Sequence, residues 1–229
     1  MTAKPKVFAI GFNKTATTTI HKFFRDNGHD SIHYRLPDGR FLAGVVSTNV
    51  MSRRPILASI DQHEVFSEFS YTEGTHFLEA NYFYQDLYEQ YPDAYFLLNT
   101  RDTEGWVKSR SNHFGRKKSR GLLGDRIAAS YGTSTEEASD IWRALHQPFH
   151  DEVIAFFAAR PEARFLHFEI ETGTPEMLTE WVSEHYDLDP SIWAAANTTQ
   201  ERQQKEKVQR NPARRLLKKI VRRVKKTQL

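Results

Sequence analysis

Six consecutive residues, Lys14-Thr15-Ala16-Thr17-Thr18-Thr19, carry one ammonium and four hydroxyls between an apolar run and a helical pattern. Set between a buried strand and a helix N-terminus, the stretch NKTATTT aims backbone N–H groups, hydroxyls and a cation at one point. The helix dipole favours negative charge at that point, which makes it a phosphate cradle. A plainer reading stands beside this one: Thr15, Thr17 or Thr18 caps the helix and Lys14 is solvated. The loop is not a Walker A sequence, G-x-x-x-x-G-K-[ST]. Gly11 precedes Lys14 by three and no second glycine lies before the lysine, so an ordinary ATP or GTP loop is not supported.

A second pair of residues carries similar chemistry. Arg101 follows the apolar run AYFLLNT, and Ser109 comes eight residues later in the helical pattern TEGWVKSRSNHF. A step of that length from a strand end into a helix can fold back so that a guanidinium fork and a hydroxyl meet one phosphate. The alternative is a structural ion pair of Arg101 with Asp102 and a surface Ser109.

The elements that must position these groups alternate. KVFAIGF (6–12), PILASI (55–60), AYFLLNT (94–100) and RFLHFEI (164–170) read as strands. Helical patterns follow the first run up to Gly28, cover YFYQDLYEQ before Pro92, and continue after Thr103. A long helix is expected from a cap at Thr135, bent or divided by Pro148, and a last one opens at Thr174-Pro175 and runs to Tyr186. Strands alternating with helices predict an α/β single-domain three-layer sandwich with a central parallel sheet, and ligands at the carboxyl ends of its strands. Trp106 and Trp142, single aromatics at helical spacing, are expected in the core.

With 229 residues, 39% of them hydrophobic, one domain is favoured over two. The chain has no cysteine, which removes disulfides, thiolate metal sites and a cysteine nucleophile. Asn and Lys interrupt the short N-terminal apolar run before a signal or membrane span could form, and the chain is expected in the cytoplasm. The charge is divided: residues 201–229 hold 12 Lys+Arg and 2 Asp+Glu, against 20 and 27 in the first 200 residues. The organisation expected is therefore a domain over 1–200 and a basic tail over 201–229.

The two phosphate motifs, in this order, resemble those of the sulfotransferases that use 3′-phosphoadenosine-5′-phosphosulfate (PAPS). In that family a lysine, a small residue, a glycine and two hydroxyl residues bind the 5′-phosphosulfate. Lys14-Thr15-Ala16-Thr17-Thr18 is similar, with Ala16 in place of glycine and Asn13 where proline is often found. In the family an arginine at a strand end and a serine eight residues on hold the 3′-phosphate, and the resemblance implies that role for Arg101 and Ser109. Asp102, Trp106 and Asn112-His113-Phe114 are also in the family style, and the resemblance spans about residues 5 to 200.

The resemblance implies transfer of a sulfonate from PAPS to a hydroxyl or amine, without a metal. It places Lys14 at the oxygen bridging phosphate and sulfonate, and Thr15 to Thr19 on the 5′-phosphate. It further implies a histidine or glutamate base between the two motifs, for which Glu68 and His76 compete, with His63 and His33 as weaker options. Each has a plain alternative, Glu68 as a solvated or capping carboxylate and His76 as a polar loop residue. The place of the family's adenine-stacking aromatic is held here by Thr19. Two other functions remain open: a nucleotide kinase with an altered phosphate loop, and a catalytically inactive nucleotide-fold module docked by its tail.

Two basic segments complete the reading. Gly115–Gly124 carries Arg116, Lys117, Lys118 and Arg120, a surface loop that either grips an anionic acceptor or is simply solvated. In the tail, Leu216, Leu217, Ile220, Val221 and Val224 share one helical face opposite Lys and Arg, the pattern of a helix at an anionic membrane surface. A helix packed on the acidic body is an equal reading, and nucleic-acid binding is the least favoured of the three. The acceptor, whether glycan, lipid, small alcohol or amine, is not legible.

Overall fold

Val7–Ala9 (β1) is a three-residue strand apolar on both faces, and in the computed structural model it lies at the centre of a sheet. The structure describes residues 4–73, 76–113 and 121–194. The five strands of that sheet are β1, Ser31–His33 (β2), Val65–Ser67 (β3), Tyr95–Thr100 (β6) and Arg164–Glu169 (β7), ordered β2-β3-β1-β6-β7. All neighbours are parallel, with Val7 opposite Val65 on one side and Tyr95 on the other. A short antiparallel hairpin, Ser70–Glu73 (β4) and His76–Glu79 (β5), follows β3.

The period of two along the strands divides the core into two layers. Val7, Ala9, Val65, Tyr95, Leu97 and Phe168 face Thr17–Asp26 (α1) and Pro175–Val182 (α7) through Ile20, Phe23, Phe24, Leu178 and Val182. Phe8, Ile10, Phe66, Phe96 and Leu98 face the other way. They share a core with Leu42–Met51 (α2), Tyr84–Gln90 (α3), Thr103–Ser111 (α4), Leu123–Tyr131 (α5) and Thr135–Ala158 (α6). This is the expected three-layer α/β sandwich.

Several local expectations are corrected. Residues 55–60 are not a strand: Ala58 N–H bonds the Pro55 carbonyl and Ile60 N–H the Leu57 carbonyl, so the run is a series of turns. Its apolar side chains are still buried, because Ile56, Leu57 and Ile60 plug the core from a turn. The sheet position belongs instead to β3. Thr135 is the first helical residue of α6; Ser134 caps it, accepting from Glu137 N–H in a capping box. Pro148 sits inside an undivided α6, and α7 stops at Val182, four residues short of Tyr186. Gly124 belongs to α5, not to the basic loop.

The described residues belong to one compact unit. The tail lies outside the described residues, as do Arg116, Lys117, Lys118 and Arg120. No described helix is long and apolar enough to cross a membrane.

Candidate active site

Because β1 and β6 are parallel neighbours, the segments that leave their carboxyl ends emerge side by side. Those segments are the Lys14 loop and Arg101. They approach so closely that a Cβ at Gly11 would stand 1.9 Å from the Asn99 carbonyl oxygen, so only glycine fits there. Asn99, fully buried, ties the two together. Its Oδ1 accepts from Gly11 N–H at 3.1 Å, and its Nδ2 donates to the carbonyl and hydroxyl oxygens of Thr15 at 2.8 and 2.6 Å.

The loop's carbonyls are drawn away from its open side one by one. Asn81 Nδ2 donates to the Ile10 and Gly11 carbonyls, Thr15 Oγ1 to Phe12, Trp106 Nε1 to Asn13, and Arg101 Nη1 to Lys14 at 3.5 Å. The Ala16 carbonyl takes the N–H groups of Thr19 and Ile20. With the acceptors turned outward, the loop presents donors. The first N–H groups of a helix have no intrahelical partner, and Ala16, the N-cap of α1, supplies no side-chain acceptor to them. Lys14 and Ala16 both hold positive φ, 71° and 62°, the alternation that builds an anion-binding concavity from successive N–H groups.

The strain at Ala16 explains why glycine is usual at this place in the resembled motif: a left-handed conformation costs an L-residue about 1–2 kcal/mol. Ala16→Gly is therefore expected to stabilise the protein by roughly 0.5–1 kcal/mol, after allowing for glycine's freer unfolded chain. A thermal melt should move up by about 1–4 °C, and an unchanged or lower midpoint would refute the account.

Glu68 stands directly after β3 at the same edge of the sheet, itself in a left-handed conformation (φ 64°). Thr17 Oγ1 donates to its Oε2 at 2.6 Å. Burial raises its pKa to about 7; Thr17, Lys14 and Arg110 pull it down, and Glu79 pushes it up. Glu79 is itself ion-paired to Arg110, whose guanidinium is buried between the Trp106 and Trp142 rings. Thr18 Oγ1 meets His33 Nε2 at 3.2 Å, and His33 Nδ1 meets Ser67 Oγ at 3.2 Å, so His33 also reaches the loop. Lys14 Nζ lies 2.9 Å from His113 Nδ1 beyond the end of α4. His113 was visible in the sequence only as part of the Asn112-His113-Phe114 ending.

Arg101 lies against the loop backbone and is ion-paired to Glu171 at 3.3 Å, rather than to Asp102. Its Nε is buried without a partner among the described residues. Asp102 instead caps α4, accepting from Gly105 N–H. Ser109 is half-buried in α4, and no hydrogen bond joins it to Arg101. Among the threonines, Thr15 is fully buried and its hydroxyl serves the loop, while Thr19 is 5% exposed.

Two candidate bases stand elsewhere. His76 opens β5 opposite Glu73, exposed on the hairpin. His63 precedes β3 and pairs with Asp30 at 2.8 Å, at the amino edge of the parallel sheet and so at the opposite end from the loop. Trp106 and Trp142 are buried in the core as expected, and Trp106 also holds the loop through Asn13.

A parallel α/β sandwich with a lysine-bearing, outward-carbonyl loop between its central strand and the next helix is a phosphate-loop-like fold. A family model described as a sulfotransferase domain matches residues 6–188, so the chain belongs to the sulfotransferase family and transfers a sulfonate group. Among curated proteins none matches the chain significantly.

Proposed function

We propose that this sulfotransferase takes its sulfonate from PAPS and delivers it to a hydroxyl or amine, with Lys14 and Glu68 as the reacting groups. The observation that carries the reading is the lock between the two phosphate segments: Asn99 and Arg101, at the end of β6, hold the Lys14 loop beside the Arg101 guanidinium. The donor set fits a ligand charged at both ends, because one segment offers uncapped helix N–H groups and an ammonium, and the other a guanidinium with an orphaned Nε.

In this reading the N–H groups of the turn from Thr15 to Thr18 and the Thr18 hydroxyl hold the 5′-phosphate, while the Thr17 hydroxyl stays on Glu68. Arg101 and Ser109 hold the 3′-phosphate. Glu68 takes the acceptor's proton as its oxygen or nitrogen bonds to sulfur, and the bond from sulfur to the bridging oxygen breaks. Lys14 stabilises the charge that collects on that oxygen. Glu68 is preferred to His76 because it is bonded to Thr17 inside the cradle.

Calorimetry tests the donor. Adenosine 3′,5′-bisphosphate should bind more tightly than adenosine 5′-monophosphate or ATP. Arg101→Gln should reduce the bisphosphate affinity by about 10- to 100-fold, as expected for a charge-assisted bond worth about 1.5–3 kcal/mol, and leave the monophosphate almost unaffected. A preference for ATP that ignores the 3′-phosphate would favour a kinase and remove the reading.

A further inference from the structure

A cavity of about 440 Å³ lies beside α2, lined by Arg40, Arg54, Phe41, Tyr71, Thr48 and Asn49 among others. None of the groups above occupies it. We propose that it is the acceptor seat and that the acceptor is an anionic sugar or sugar-like alcohol, a hydroxylated ring bearing a carboxylate or sulfate. The proposal rests on the sulfonate-transfer reading and adds the substrate class.

The lining selects this chemistry. Its volume suits a small organic ligand, and it combines an aromatic wall with scattered polar groups, the mixture that orients a ring with hydroxyls. Phe41 and Tyr71 form that wall, their rings packed edge to face at 4.4 Å. Asn49 is 2% exposed with its amide nitrogen taken up by the Ile56 and Ala58 carbonyls, which leaves its oxygen to accept. No carboxylate lines the cavity, while two guanidiniums do. Arg40 is already held by Asp38 at 2.7 Å and by Ser59. Arg54 is exposed, and its side chain makes no hydrogen bond or ion pair among the described residues. An unpaired guanidinium at the edge of an aromatic-walled cavity favours a ligand that brings the missing negative charge.

One wall of the cavity, Phe41 with Tyr71, leads toward the groups proposed to react. Tyr71 is three residues beyond Glu68, and Phe41 packs on Tyr34 at 5.1 Å. Tyr34 directly follows β2 and Glu68 directly follows β3, so both mark the carboxyl edge of the sheet that carries the Lys14 loop. The aromatic wall therefore continues to the edge where the proton must be removed. Burial raises the Tyr34 hydroxyl pKa, and the negative charge of Glu68 pushes the same way, which agrees with their nearness.

The test uses the full chain and two probes that differ only in charge: methyl β-D-glucuronide and methyl β-D-glucoside. Ligand-observed NMR titration at low salt should show the glucuronide binding at least tenfold more tightly. Arg54→Gln should abolish that preference with an unchanged thermal midpoint. In turnover with PAPS, kcat/KM for the glucuronide should exceed that for the glucoside and fall selectively in Arg54→Gln. Equal affinity for the two probes, or a preference that survives Arg54→Gln, overturns the anionic acceptor even if adenosine 3′,5′-bisphosphate binds normally. Glucuronide preference in a protein that ignores the bisphosphate overturns the acceptor role and, separately, the donor reading.

Discussion

Replacing Glu68 by glutamine is expected to lower turnover by at least a hundredfold and to remove the acidic limb of the pH profile. The expectation follows from where Glu68 sits and what its surroundings do to it. Burial holds its pKa up at about 7, so near neutral pH a working fraction is ionised and its basicity is matched to the medium. In the wild-type protein kcat/KM should rise with pH through about 7 and then level off. In Glu68→Gln the residual rate should be flat across that range.

The stability linkage has the opposite sign and separates lost chemistry from lost fold. A carboxyl whose folded pKa lies above its unfolded value binds more protons in the folded state, so it costs stability as pH rises from about 4.5 to about 7. Glu68→Gln keeps an acceptor for the Thr17 hydroxyl and abolishes that cost. At pH 8 the variant should be more stable, on the order of 1 kcal/mol once the partial solvent contact of Glu68 is discounted. A variant that keeps its activity, or retains the limb near 7, would transfer the base to another residue, and His33 is the neighbour to examine next.

Lys14→Ala should reduce kcat at least tenfold, and up to the 10²–10³ typical of a lost charge-stabilising donor, with the fold intact. The loss should fall on kcat rather than on affinity for adenosine 3′,5′-bisphosphate, because in the proposed reaction the charge that Lys14 meets develops only as the bond to sulfur breaks. A second consequence follows from the coupling of the two groups. The Lys14 charge lowers the Glu68 pKa, so its removal should shift the acidic limb of the residual activity to higher pH. Near-normal turnover, or a limb that does not move, would separate Lys14 from the reacting centre.

The strength of the Lys14 loop as a signal came from local chemistry. A lysine and hydroxyls packed between an apolar run and a helical pattern require a strand, a turn and a helix start, and each is set by neighbours within a few residues. The same holds for the strands at β6 and β7, and for Arg101 and Ser109 in their places. The correction at residues 55–60 marks the limit: an apolar run is buried equally well from a strand or from turns, and composition does not separate the two. β2 and β3, three residues each, were too short to show a period. Asn99, Asn81 and His113 gave no local sign of their roles, because each acts on a residue about 70 to 100 positions away in the chain.

The residue order alone established the alternating architecture, the placement of Lys14 at a helix start and the separation of the basic tail from an acidic body, since these depend on neighbours in the chain. Folding decided which distant groups meet. The parallel pairing of β1 with β6 brings Arg101 against the Lys14 carbonyl, and that of β1 with β3 brings Glu68 to Thr17, while the same geometry leaves His63 at the far edge and His76 on an exposed hairpin. Register in a sheet is set by which strands bury one another, a property of the whole core that no short stretch of residues carries.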